Sequence, residues 1–231
     1  MKNALYDKEV TCPLCKNIFR TKKVRTSSTR IEKRDTDFCT YYTSENPMFY
    51  GVFVCPMCGY AAMESTFHEI NGAGKKAIEE NITRRWTQRS FGGERTIQEA
   101  IEAYKLALLC GQLINQKKGV IGNICLRIAW LYRYANDPKE TDFLKHAVRC
   151  FEQAFVSEPL PIGNLDEVTL MYLIGEIHRL IGNYEEAIEW FSKAVGNPAI
   201  KTKKKIDTLA REQWRLAKES FKNKKNQEQA G

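Results

Sequence analysis

The sequence predicts an α+β chain that is mostly α, with a small strand-rich module first and a helical solenoid behind it. Three observations predict this. Two C-P-x-C runs, Cys12-Pro13-Leu14-Cys15 and Cys55-Pro56-Met57-Cys58, bracket a segment with short β-branched and aromatic stretches. From Thr96 onward, apolar residues recur at helical spacing between successive cap and break signals. Within that half, small and aromatic residues return at a period of about 34.

Each C-P-x-C turn is short enough to aim both sulfurs at one ion, and Gly59 relieves crowding after the last of them. Paired knuckles of this spacing supply four thiolates to a tetrahedral ion, with Zn–S bonds of about 2.3 Å. The candidate metal ligands are Cys12, Cys15, Cys55 and Cys58, and zinc is the expected ion. Iron is the alternative, because C-P-x-C-G also resembles a rubredoxin-like knuckle. Four thiolates leave no open position for water or substrate, so the metal is expected to be structural.

Around these turns, residues 1–62 read as a zinc-ribbon-like metal-binding module. Val10-Thr11 enters the first knuckle, Ile18-Phe19 leaves it, and Phe49–Val54 is expected as a strand entering the second. Asn46-Pro47 marks a turn just before that strand. So small a module buries little apolar surface, and a metal closing its long loop is expected to supply much of its stability. Arg20, Lys22, Lys23, Arg25, Arg30, Lys33 and Arg34 lie between the knuckles, with Phe38, Tyr41, Tyr42, Phe49 and Tyr50 following. Such a mixture can grip phosphates and stack bases. It equally suits a solvated strand pair with aromatics over a small core, which the absence of any nucleic-acid-reading motif favours.

Residues 63–95 form a connector. Ala77, Ile78, Ile82 and Trp86 predict a helix from about Gly74 to Arg89, and Phe91-Gly92-Gly93 ends it. Gly72-Ala73-Gly74-Lys75-Lys76 lacks the leading Gly and the Ser/Thr after Lys that a phosphate loop needs.

Residues 96–223 are helical, with a basic tail at 224–231 expected to fray. Thr96 and Glu99 form a capping box opening a helix to about Gln116, and a second spans roughly Val120–Asn136. A third starts at Asp137-Pro138, a fourth at Asn164–Glu167 and a fifth at Asn183. A sixth carries Ile206, Leu209, Ala210, Trp214, Ala217 and Phe221 on one face. In the pair from Val168 to Pro198, Gly175, Ala187, Phe191 and Ala194 fall where a tetratricopeptide repeat wants small, small, aromatic and small residues. The preceding pair resembles it through Ala129, Ala147, Phe151 and Ala154, with its second helix about six residues late; Ala100, Tyr104 and Ala107 stand for a further copy. Arrays of this kind hold peptides along their first helices. The expected partner-binding residues are Asn123, Trp130, Arg133, Tyr134, Tyr172, Glu176 and Arg179, with Leu126 and Thr169 on the same face. The competing reading packs Trp130 and Tyr172 inside the array. The Lys/Asn clamp that some members use on a terminal carboxylate is absent, since Leu126 and Trp130 take two of its places.

The formal charge is +8, and it is concentrated at the ends: residues 1–60 hold ten Lys/Arg against six Asp/Glu, and residues 199–231 ten against four. The first eight residues show no secretory h-region, and no apolar run approaches the length of a membrane span. Unpaired Cys39, Cys110, Cys125 and Cys150 suit a reducing compartment, so a cytoplasmic address is expected. No metalloprotease, hydrolase, phosphate-loop or dinucleotide motif occurs, and an enzyme is not expected. His68 is at most a spare ligand, and His146 and His178 fall on repeat helices.

Several motifs are shared with a bacterial family. They are Leu5-Tyr6-Asp7-Lys8, Val10–Pro13, Thr21–Arg25, Arg34-Asp35-Thr36-Asp37-Phe38-Cys39, Val54–Ala62 and Tyr104–Leu108. In these the chain resembles the domain of unknown function 2225 family. The resemblance implies a zinc-ribbon-like head with a tetratricopeptide-like body and brings no activity with it. Three functions follow: an interaction or scaffold protein holding a protein or peptide partner, a nucleic-acid-associated factor using the basic ends, and a rubredoxin-like electron carrier. The first is expected, and the oligomeric state is open.

Overall fold

The structure, a computed structural model, describes residues 4–230. Residues 1–3 and 231, the outermost parts of the expected head and tail, lie outside the described residues. Among the described residues, three two-stranded antiparallel sheets precede and flank the start of seven α-helices, the mostly α arrangement that the sequence predicts. The chain divides into two compact units. One holds the chain up to Asp35, Cys39–Gln116 and Asn123–Glu140; the other holds Thr36–Phe38, Lys117–Gly122 and the chain from Thr141 onward.

In the first unit, β1 (Leu5–Thr11) pairs with β2 (Ile18–Val24), from Leu5 opposite Val24 to Thr11 opposite Ile18. The first knuckle is therefore the turn of a hairpin. β3 (Ile31–Arg34), exposed along its whole length, pairs with β4 (Thr40–Tyr42). β5 (Val52–Val54) pairs with β6 (Ala61–Met63), and the second knuckle is the turn between them. The strand expected from Phe49 begins only at Val52. Pro47–Tyr50 is instead a 3-10 turn, capped by Asn46 Oδ1 accepting the Met48 N–H at 2.9 Å. The local cap and the proline at the turn's first position outweigh the β propensity of Phe49 and Tyr50.

The helix α1 (Gly72–Asn81) starts when Asn71 caps Gly74 N–H at 2.7 Å, and it ends well before Arg89. Thr83–Arg85 form a 3-10 turn and Trp86 is extended. A tertiary contact explains the early stop, because the Trp86 indole N–H donates to Pro56 O at 2.9 Å. The capping box at Thr96 forms as the sequence predicts, opening α2 (Ile97–Leu113). This helix packs on β5 and β6. Tyr104, fully buried, donates its hydroxyl to Met48 O at 3.0 Å, and Cys110 Sγ accepts the Ala61 N–H at 3.4 Å.

Arg95 ties these layers together. It is buried, and its guanidinium donates to the carbonyls of Phe91, Phe49 and Val52 at 2.9, 3.0 and 2.9 Å. Among the described residues it forms no ion pair, and desolvation pulls its pKa down to about 10, which still leaves it charged near neutrality.

Helix α3 (Lys118–Tyr134) gives its first residues to one unit and the remainder to the other. The second unit takes α4 (Lys139–Ser157) from Thr141 onward, then α5 (Glu167–Leu180), α6 (Tyr184–Gly196) and α7 (Lys204–Ala230). Asp166 caps α5 by accepting the Thr169 N–H at 3.0 Å. Helix α5 is buried almost throughout and packs on α6 and α7. The predicted face of the last helix is in this core: Ile206, Leu209, Ala210, Trp214 and Ala217 pack with Met171, Tyr172, Phe191 and Phe38. The helix itself runs on to Ala230.

Two glycine–phenylalanine contacts in this unit are made in the same way. A Cβ on Gly175 would stand 2.9 Å from Phe191, and one on Gly122 would stand 2.9 Å from Phe151. The sequence pointed to Ala129 as the small partner of Phe151, and the structure gives Gly122. The two lie seven residues apart, about two helical turns, so the face that the register implies is unchanged.

Candidate metal centre and peptide-holding residues

The two knuckles are built alike. Lys16 N–H donates to Cys12 O and Gly59 N–H to Cys55 O, both at 3.0 Å. Cys12 N–H in turn bonds Asn17 O and Cys55 N–H bonds Tyr60 O, both at 2.9 Å. The residue after each second cysteine is left-handed, with φ of 63° at Lys16 and 74° at Gly59. Glycine is at home there and lysine is not.

These turns bring Cys12, Cys15, Cys55 and Cys58 together, all four sulfurs lying within 4.8 Å of one another. Cys12 Sγ is 3.6 Å from Cys58 Sγ, and Cys15 Sγ is 3.5 Å from Cys55 Sγ. A tetrahedron with bonds of about 2.3 Å has sulfur–sulfur edges of about 3.8 Å, so the donor set fits a metal ion of zinc or iron size. Cys12, Cys55 and Cys58 are buried and Cys15 is exposed. Hydrogen bonds from Cys12 and Cys58, then from the Cys58 and Met57 backbone, pull Cys55 down. The Cys55 contact pushes Cys12 up to about 12, and hydrogen bonding to Cys12 and Cys55 pushes Cys58 further up.

The segment expected to be a connector supports this centre. Trp86 donates to Pro56 O, Thr83 Oγ1 donates to Cys58 O at 3.0 Å, and a Cβ on Gly59 would stand 2.5 Å from the Trp86 ring. The helical spacing of Ile82 and Trp86 signalled a helix there and concealed this support. Cys110, pushed up to about 11 by burial, is a core residue.

The predicted partner-binding residues occupy defined places. In the first unit, Asn123 Oδ1 accepts Arg127 Nε–H at 2.8 Å, and Trp130 is half-buried. Arg133 bonds Asp35 at 3.0 Å and Glu140 at 2.7 Å. Tyr134 donates its hydroxyl to Thr40 O at 2.7 Å, and Tyr41 donates to Asp35 at 3.1 Å. In the second unit, Tyr172 is fully buried, donates to Thr36 O at 2.7 Å and packs on Phe38 with ring centroids 5.6 Å apart. Glu176, also fully buried, is held by Arg179 at 2.8 and 2.7 Å and by the Thr36 hydroxyl. That pairing raises the Arg179 pKa. In the first unit the groups held are Asp35 and Thr40, and Asp35 N–H donates to Cys39 O at 2.8 Å; in the second they are Thr36 and Phe38. Sequence spacing singled out the holders and gave no sign of what they hold.

The basic residues of the head are partly neutralised where they stand. Lys8 and Lys23 both clasp Glu64, at 2.6 and 2.5 Å, and Lys22 meets Asp7 at 3.0 Å. His178 is buried and bonds Glu152 at 2.9 Å, a packing role. Among the described residues, no helix is long and apolar enough to cross a membrane.

A family model described as "Uncharacterized protein conserved in bacteria (DUF2225)" matches residues 5–217. An uncharacterized protein of Borreliella burgdorferi is 26% identical over 155 residues, covering 57% of this chain and 54% of the relative. The chain thus spans about half the length of that curated relative. No solved structure matches the chain.

Proposed function

We propose that this chain, which belongs to the DUF2225 family of bacterial proteins, is a zinc-stapled cytosolic interaction protein. Zinc closes the head through Cys12, Cys15, Cys55 and Cys58, and the tetratricopeptide-like helix pairs hold a peptide. The ion is structural in this account, because its four protein ligands leave no place for substrate. Zinc is favoured over iron for a site without an electron-transfer role.

One observation carries the peptide-holding part. Within each unit, side chains assigned to partner binding already hold backbone or carboxylate groups of the chain itself, by means that would serve a partner equally. In the first unit a tyrosine hydroxyl takes the Thr40 carbonyl and an arginine takes the Asp35 carboxylate. In the second a tyrosine takes the Thr36 carbonyl. Backbone carbonyl capture and Arg–carboxylate pairing are ordinary devices of peptide recognition.

The test is purification of the full chain from its own host, followed by cross-linking and mapping of the linked residues. Cross-links from a protein partner should fall on α3 or α5, and Trp130→Ala should weaken them. A partner linked only elsewhere and indifferent to Trp130, or no protein partner at all, would overturn the proposal.

A further inference from the structure

The first unit contains an aromatic cavity of about 340 Å³, within the size range of small-ligand sites. Tyr41, Tyr42, Phe49 and Tyr134 supply its rings, and Glu32 and Glu45 supply its charged side chains. No Lys or Arg lines it, although the whole chain carries +8. Among the described residues, neither Glu32 nor Glu45 forms an ion pair, and both residues are exposed.

Two of these rings are held in place. Tyr134 and Tyr41 donate their hydroxyls to Thr40 O and Asp35, which anchors both phenols and sets them edge to face at a centroid distance of 5.2 Å. Both hydroxyls stay protonated, since burial raises both pKa values. Tyr41 already accepts a cation: Lys33 Nζ lies 4.1 Å from its ring centroid, while pairing with Asp35 at 3.8 Å. Aromatic rings with carboxylates at the rim are the chemistry that recognises ammonium groups. A neutral apolar side chain would gain burial there but would lack the cation–π and charge attraction that an ammonium gains.

The geometry points to this cavity as a binding site for an alkylammonium group, the end of a lysine side chain on the partner peptide. It deepens the peptide-holding function proposed above, and Tyr134 is the residue shared by the two.

The site can be tested without the partner. The zinc-loaded full chain, labelled with 15N, is titrated with N-acetyl-lysine methylamide and, separately, with N-acetyl-norleucine methylamide, which lacks the ammonium. Trimethylated lysine and free tetramethylammonium form two further arms. The lysine compounds should shift resonances of residues 41–49 saturably at millimolar concentration, with norleucine weaker by about tenfold. Glu45→Gln and Tyr42→Leu should each weaken the lysine compounds about three- to tenfold. Tetramethylammonium binding more tightly than either lysine compound would reassign the site to a free quaternary amine and overturn the peptide assignment. Norleucine binding equally well, no shifts up to about 20 mM, or indifference of both variants would overturn the site itself. Because no partner is used, failure here leaves the cross-linking result standing, and the reverse also holds.

Discussion

Replacing Gly59 with alanine, and Lys16 with glycine, separates the two knuckles by an asymmetry that the structure defines. Both residues are left-handed, and both N–H groups donate to the carbonyl of the first cysteine at 3.0 Å. At Gly59, an added methyl costs about 1–2 kcal/mol for the backbone conformation. The same methyl would stand 2.5 and 2.6 Å from the Trp86 ring and 3.0 Å from Ile82 Cγ2. Displacing a ring that is hydrogen-bonded to Pro56 adds about 1–3 kcal/mol. The expected loss for Gly59→Ala is therefore about 2–5 kcal/mol. At Lys16 the conformational strain is relieved, while the glycine's extra freedom in the unfolded chain offsets part of the gain, leaving Lys16→Gly about 0.5–1 kcal/mol more stable. The assay is denaturant unfolding of the metal-loaded protein followed by Trp fluorescence, with chelator competition for metal affinity alongside. A Gly59→Ala protein within about 0.5 kcal/mol of wild type, with unchanged metal affinity, would refute both the strain and the Trp86 contact.

Five further substitutions test other parts of the structure. Arg95→Met removes the donor to three buried carbonyls and should cost about 3 kcal/mol or more in urea unfolding, a loss that vanishes if water replaces the guanidinium at no cost. Burial opposes ionisation of Glu64, yet hydrogen bonds from Lys23 and Lys8 outweigh it and hold its pKa below 4.5. A carboxylate depressed in the folded state stabilises above its unfolded pKa and loses that stabilisation as pH falls through the folded value. Glu64→Gln should therefore be less stable by about 1 kcal/mol at neutral pH, discounted for solvent screening, and the gap should close in acid; a gap independent of pH contradicts the ion pairs. Gly175→Ala and Gly122→Ala should each cost about 1–3 kcal/mol in thermal unfolding, whereas Gly93→Ala, with open space around it, should be near neutral.

The features legible in the sequence are those specified by local spacing. A C-P-x-C run fixes two sulfurs within four residues, and the hairpin register of β1 with β2 and β5 with β6 supplies the rest. Thr96 and Asp166 announced their helices because a cap is a contact within one turn. What sequence spacing could not convey is what a side chain meets far along the chain. Arg133 meets Asp35, 98 residues away, and Tyr172 meets Thr36, 136 residues away. Periodicity placed those two on a helix face and left their partners unspecified. Trp86 shows the same limit, since its apolar spacing fits a helix while its indole is committed to Pro56. Gly122 replaced Ala129 against Phe151 because helix-face spacing repeats after two turns, so a register two turns out still fits the pattern.

The central claim is a closed metal staple, and elemental analysis of the purified full chain, with its visible spectrum, tests it most directly. The account predicts a single zinc ion per chain, a colourless protein, and loss of that zinc in Cys55→Ser together with new protease cleavage among residues 5–63. A red, iron-containing protein, or a Cys55→Ser variant that keeps its metal and its protease resistance, would contradict it.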